Sequence, residues 1–546
     1  MKLKHIIAAS VLTLAAAGGL AGCGSHKAAA PPNTYRIMAT DIIATADPSM
    51  NTDVIGAQAL TDTMDGLYRY EGNTLKPAMT TKIVKPSTDG LTYVFPLRKN
   101  AKWSNGDPVT AQDFVFAWRR TVDPKTKSQY AYIYEGINNA KDITAGKKDV
   151  TALGVKALDK HTLQVTLEKP IPYFDKLMTQ PMFFPQNQKV VEKWGKKFGT
   201  HSKTLVSNGP YKLVNWNSPD NTWNEVKNSK YWNAKQVKVE KLHYQVVKDP
   251  STALNLYQSK KLDRVKLTGD TSKQMKGSKD YEIQKQNSTF YLLPNIQKQE
   301  LFKNQKIRQA LSLAINRDQL TKKVIGNGTI AASSFTPNDM SFDPDNKSKD
   351  FVAETSATGK KYTRYDLPAA KKLWREGLAE TGNTGKNFTF TLLGDDTDNA
   401  KQITEYVQNQ LGKLPGLKIT LNNVPFKNRL ARSDSGDFDL VLGAWNADFA
   451  DPINFLTLFT SDASYNYGKW SNPQYDAAVA KSLNEDVNNP SARWQDLKDA
   501  QNIANEQQGV IPLYQNGEAW LTNSRVKNLD YGPAGNYNNV SLRLKE

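Results

Sequence analysis

The stretch DFDLVLGAWNADFADP, residues 437–452, sets an acid where a buried strand ends. Phe438 to Trp445 reads as a strand of aliphatic and aromatic residues with two small ones. Asp448 follows, between Trp445 and Phe449. A carboxylate beside apolar rings loses hydration, so it needs a compensating partner or must keep contact with water. Charge pairing is therefore the chemistry this stretch offers. Catalytic signatures are missing elsewhere. The five histidines, at 5, 26, 161, 201 and 243, are far apart. There is no His-Glu-x-x-His, Gly-x-Ser-x-Gly elbow, phosphate loop or dinucleotide fingerprint. Asp395, Asp396 and Asp398 lack the spacing and closing Glu of a calcium loop and read as a polar turn.

The elements that must position Asp448 follow an alternating grammar. Short strand-like runs alternate with amphipathic helices, so the class is α/β or mixed α+β. Thr92 to Leu97 is strand-like, and 161–170 and 417–425 alternate like strands. Thr110 with Asp113 makes a Thr-x-x-Asp capping box. Phe114, Ala117 and Trp118 then form an apolar stripe that Asp123-Pro124 ends. Further helices are expected over 305–324, 367–379, 400–411 and 491–507.

With 546 residues the chain is too long for a single core, so two or three lobes are expected. Eleven Trp and 23 Tyr suffice to build cores and line a large cleft. The formal charge of +18 comes from lysines spread along the chain. No Arg-rich helix or aromatic-basic nucleic-acid signature accompanies them, so the charge reads as a solvated surface facing an anionic envelope.

The start is more specific. Lys2 and Lys4 precede an apolar and small-residue run from Ile6 to Leu20 that ends in Leu20-Ala21-Gly22-Cys23. This reads as a signal peptide over 1–22. No other run approaches the ~18 apolar residues that cross a bilayer. Cys23 is the only cysteine, which excludes an internal disulfide and any Cys-x-x-Cys pair. The motif resembles a bacterial lipobox, which implies that Cys23 is lipidated and becomes the mature N-terminus. Residues 24–32, GSHKAAAPP, then form a tether. The protein is expected on the extracellular face of the cell membrane, with two acyl chains making a stable anchor.

Five segments come in a familiar order: AKWSNGDPVTAQDFVFAWRR (101–120), VSNGPYKLVNW (206–216), NSKYWNAKQVKVEKLHYQVV (228–247), KIRQALSLAINRDQL (306–320) and AWNADFADP (444–452). From about Asp47 to the C-terminus, the chain resembles the extracellular solute-binding proteins of family 5, the oligopeptide-binding lipoproteins of peptide ABC importers. The resemblance implies a two-lobed, type II periplasmic-binding-protein fold with an extra subdomain inserted in lobe I. It places lobe I at 33–64, 187–290 and 515–546, the insert at 65–186 and lobe II at 291–514. It implies crossings near Tyr291 and Tyr514, and a hinge that closes over ligand. It implies no enzyme activity and no cofactor. The implied partners are oligopeptides, permease and ATPase subunits, and the membrane through the lipid anchor. The protein is expected to act as a monomer, without nucleic acid, in a Gram-positive bacterium.

In this family a peptide lies extended and pairs with protein backbone like an added strand, while side chains enter hydrated pockets. By resemblance Asp448 pairs with the peptide α-ammonium; without it, the residue reads as an exposed turn aspartate or helix cap. Trp445 lines an adjacent pocket. Ala444, Asn446 and Val54 match backbone-pairing positions, and Tyr130 matches a cleft tyrosine. The family's C-terminal clamp is not kept. Its arginine three residues before the Trp is Leu442 here, its lobe II histidine falls at about Ala400, and a cleft asparagine is Leu267. The peptide C-terminus is thus expected to be held loosely or elsewhere. Three other readings stay open: a pheromone sensor of the same fold, a secreted peptidase, and a charge-driven adhesin.

Overall fold

Two long strands, Tyr281–Pro294 and Ile511–Thr522, pair antiparallel and run through the middle of one large mixed sheet. Their ladder runs from Tyr281 opposite Leu521 to Leu292 opposite Ile511, with irregularities between Lys285 and Thr289 and between Phe290 and Tyr291. The structure is a computed structural model that describes residues 33–545 apart from Asn73, Pro533 and Ala534, with Lys427 as backbone alone. The expected signal peptide, Cys23 and the tether lie outside the described residues.

On one side, Arg264–Leu267 pairs antiparallel with the end of Ile511–Thr522. Thr34–Ala39 and Lys241–Val246 follow in parallel, and Thr222–Lys227 and Tyr211–Val214 close that edge antiparallel. On the other side lies Leu440–Asn446, antiparallel to Tyr281–Pro294. Phe388–Asp395 and Leu417–Val424 follow in parallel. The two long strands thus lie between the two halves of one sheet. The apolar run Leu440–Gly443 is buried throughout, as an interior strand of such a sheet requires.

The inserted subdomain carries its own antiparallel sheet of Thr92–Pro96, Thr162–Thr166 and Val155–Asp159. The helix Ala111–Val122 starts where the capping box was expected. The Asp113 carboxylate accepts from the Thr110 N–H at 2.7 Å and from its hydroxyl at 3.0 Å. Phe114, Ala117 and Trp118 are fully buried, and the Trp118 indole donates to the Phe183 carbonyl at 2.9 Å.

Most expected elements differ from the structure only at their ends: Leu367–Glu380, Asp398–Leu411, Pro490–Gln507, Thr162–Thr166 and Leu417–Val424. The helix expected over 305–324 is a correction. It stops after Gln305–Leu313 and restarts at Arg317–Gln319, continuing as a π-helical turn over Leu320–Ile325. Asn316 caps the restart by accepting from the Gln319 N–H at 2.9 Å. The buried Arg317 guanidinium takes the carbonyls of Ser312, Thr363 and Pro512. That demand, made by residues far along the chain, overrides local helix propensity.

Candidate ligand-binding site

The strand Leu440–Asn446 changes character along its length: Leu440 to Gly443 are buried, whereas Ala444 and Asn446 are exposed. Its neighbour Phe388–Asp395 pairs with it only through Leu392–Leu440 and Leu393–Val441. Beyond Val441 the sheet forks. On the other edge the ladder with the long strand continues through Phe290–Ala444, Thr289–Trp445 and Ser288–Asn446, and the Ala447 N–H donates to the Asn287 carbonyl at 2.8 Å. Backbone groups alternate along a strand. Residues 443, 445 and 447 therefore bond the long strand, and the N–H and C=O of Ala444 and Asn446 turn toward the fork.

Asp448 follows in a half-buried loop. One amide organises it. Asn454 Nδ2 donates to Asp448 Oδ2 at 3.1 Å, while Asn454 Oδ1 accepts from the Asp448 N–H at 3.0 Å and from the Trp445 indole at 3.1 Å. Gln180 donates to the Asp448 carbonyl at 2.6 Å. Among the described residues no cation pairs with the Asp448 carboxylate. Burial pushes its carboxyl up to about 6, and the Asn454 hydrogen bond opposes that only partly.

Tyrosines supply the burial. Burial and then the Asp448 charge raise the phenols of Tyr130 and Tyr132. Tyr130 and Tyr132 stack at 6.0 Å, Tyr132 meets Tyr465 edge-on at 6.3 Å, and Tyr465 meets Trp445 at 4.9 Å. On the far side Phe449 stacks on Tyr173 at 4.5 Å, and Lys176 donates to the Ala450 carbonyl. The helix-cap alternative for Asp448 does not hold here. The short helix Ile453–Leu456 has Pro452 at its N-cap, and it is Asp451 that accepts from the Ile453 N–H, at 3.1 Å.

The structure gathers the residues singled out in the sequence into two groups. Tyr130, Trp445 and Asp448 share the aromatic enclosure. Val54 begins the helix Val54–Thr63, is 57% exposed, and lines a cavity of about 150 Å³ together with Asn446. Trp223, Tyr244, Trp520 and Tyr537 form much of its wall. Leu267, Ala400 and Leu442 are all buried in the core. Leu267 is fully buried in its strand and therefore is not a cleft residue. Sequence reasoning missed Asn454, Tyr132 and Tyr465. The alternating Tyr465-x-Tyr467 was the only signal available for one of them. Among the described residues no group of His, Cys, Asp or Glu is arranged to hold a metal, and no helix is long and apolar enough to cross a membrane.

A two-lobed α/β scaffold with an open strand edge and an enclosed carboxylate at the junction defines a type II solute-binding protein. The chain belongs to the bacterial extracellular solute-binding proteins, family 5, whose model matches residues 74–467. It is 36% identical over 554 residues to the dipeptide-binding protein of Lactococcus lactis subsp. cremoris, covering 98% of this chain and 98% of that protein. The structure of Listeria monocytogenes OppA bound to peptide superposes with a TM-score of 0.81 at 37% identity, covering 94% of this chain and 99% of that one. The pheromone receptor PrgZ gives a TM-score of 0.81 at 34% identity, covering 94% and 100%.

Proposed function

We propose that the chain is a lipid-anchored extracellular receptor that captures extended oligopeptides between two closing lobes and delivers them to an ABC permease. The observation that carries this reading is the Asp448 carboxylate, desolvated and without a cation among the described residues, beside a strand edge whose Ala444 and Asn446 backbone groups face outward. A peptide laid along that edge would pair through its main chain, which every peptide has, and place its α-ammonium at Asp448. Trp445 and Tyr130 would wall the first side chain, and Val54 and Asn446 would flank a roomy pocket for another.

In this reading residues 1–22 are a signal peptide, Cys23 carries the lipid and 24–32 are the tether. Lobe I takes 33–64, 187–290 and 515–546, with the insert at 65–186, and lobe II takes 291–514. The lobes would hinge near the ladder irregularities between Lys285 and Thr289 and between Phe290 and Tyr291. The chain acts as a monomer on the outer face of a Gram-positive cell membrane and performs no chemistry; the permease-associated ATPases supply the energy. The likeness to PrgZ favours a second reading, a pheromone sensor on the same fold.

Mass spectrometry of ligands released by denaturing the purified protein tests both. A broad set of peptides supports nutrient capture, and one apolar peptide supports sensing. Cleavage of a defined peptide would instead support a peptidase. N-acetylation of a bound peptide should cost affinity; if it does not, the role given to Asp448 is wrong.

A further inference from the structure

The sheet fork has a second charged residue at its base. Phe388–Asp395 and Leu440–Asn446 part after Leu393 and Val441, while Asp395 stays paired with Val424 on its other edge. Arg429, on the helix Phe426–Asp434, donates from Nε to Asp395 Oδ1 at 3.0 Å. Its side chain is only 10% exposed. Among the described residues its two Nη atoms donate to no protein acceptor. A guanidinium has five N–H donors in a fixed fork, so the edge of this one that suits a carboxylate is left unused.

The Asp395 bond and one ring contact hold Arg429. The Phe426 ring lies 4.9 Å beneath the guanidinium. The Tyr291 phenol packs on Gly443, where an added Cβ would fall 2.7 to 3.1 Å from its ring and hydroxyl atoms. Burial raises the Tyr291 phenol and the Arg429 charge opposes it. The same charge opposes the rise at Tyr467. Arg429 is thus within electrostatic reach of the Gly443 end of the open edge, while Asp448 stands beyond the Asn446 end.

We propose that Arg429, held by Asp395, is the anchor for the carboxylate of a bound peptide's C-terminus. The inference rests on the peptide-capture reading. A peptide with its ammonium at Asp448 runs antiparallel to Leu440–Asn446 and points its C-terminus into the fork. A strand advances about 3.3 Å per residue, so roughly four or five residues span the edge. Asp395 occupies only the Nε side and is 27% exposed, so solvent partly screens its repulsion of an incoming carboxylate. Leu442, where the resemblance implied an arginine, is buried in its strand. The cation has moved to the neighbouring helix.

Calorimetry with one pentapeptide as free acid, C-terminal amide and N-acetyl acid, on the wild-type protein and on Arg429→Gln and Arg429→Lys, tests this. Amidation should weaken wild-type binding by about tenfold. Arg429→Gln should bind acid and amide equally, with a wild-type circular-dichroism spectrum as the proof of folding. Arg429→Lys, which keeps the charge without the fork, should show an intermediate preference and serves if the Gln variant does not fold. N-acetylation should cost the same in all three. Equal binding of acid and amide by the wild type, or a preference that survives in Arg429→Gln, overturns the proposal. If acetylation still costs affinity in that case, only the Arg429 assignment falls; if it does not, peptide capture at Asp448 falls with it.

Discussion

Asp448 and Asp451 stand three residues apart in one loop, both beside aromatic rings, and the fold treats them in opposite ways. Asp451 is buried against Arg493, which reaches its two oxygens at 2.8 and 3.1 Å, and Lys176 lies 3.9 Å away. Burial would raise its carboxyl, but the Arg493 and Lys176 charges hold it below the usual range. Among the described residues Asp448 has burial without a cation, and its carboxyl rises to about 6. A charge whose partner is built in serves the fold. A charge that is desolvated and left with one amide is poised for a partner that arrives from solution.

The largest effect should come from breaking the built-in pair. Arg493→Ala leaves Asp451 buried with only Lys176, 3.9 Å away, to offset its charge, and should cost about 3–5 kcal/mol of stability, read from the denaturant midpoint. Adding Asp451→Asn should recover part of that loss. If Arg493→Ala is as stable as the wild type, Asp451 does not depend on a built-in partner and the contrast with Asp448 fails.

Next in size is Asp448→Asn, which keeps the shape and removes the charge. Affinity for a peptide with a free N-terminus should fall about 10- to 100-fold by calorimetry, the size of one charge-assisted hydrogen bond. Stability should hold or rise, since a desolvated carboxylate is gone. A loss of stability like that of Arg493→Ala would place Asp448 in the structural class.

The pH dependence separates the pair again. Capture of an ammonium needs Asp448 ionised, so peptide affinity should fall as pH drops through about 6, by at most about tenfold per unit. Asp448→Asn should flatten that profile. For the ligand-free protein the sign reverses. The folded Asp448 carboxyl holds its proton more tightly than the unfolded one, near 3.9, so its contribution is full below that value and is lost as pH rises through about 6. Asp451 contributes stability above the unfolded value and loses it as pH falls through its lowered folded one.

The smallest effect should be that of Asn454→Ala, which releases Asp448 and the Trp445 indole together. A few-fold loss of affinity is expected, about 1 kcal/mol, and the midpoint of the pH profile should move upward because the one bond favouring the charged form is lost. An unmoved midpoint would show that Asn454 does not orient the carboxylate.

Much of the scaffold was legible because its signals are local. The Thr110–Asp113 box, the stripe of Phe114, Ala117 and Trp118, and the apolar run from Phe438 each depend on residues within one or two turns of each other. The helix over 305–324 was misread for the converse reason. Asn316 and Arg317 look helical alone, but Arg317 is drawn to carbonyls of residues 363 and 512.

The sequence by itself determined the family, through long motifs in order, and the identity of the acid in AWNADFADP. It also showed, by Leu442, that an expected cation was absent from its place. Only the tertiary structure decided which aspartate has a partner, since Arg493 and Lys176 reach Asp451 from distant parts of the chain. Only it set Tyr130, Tyr132 and Tyr465 around Asp448 and parted Phe388–Asp395 from Leu440–Asn446 beyond Val441. The physical reason is range. Propensity and capping act between chain neighbours, whereas desolvation and charge pairing depend on groups that meet only when the chain is folded.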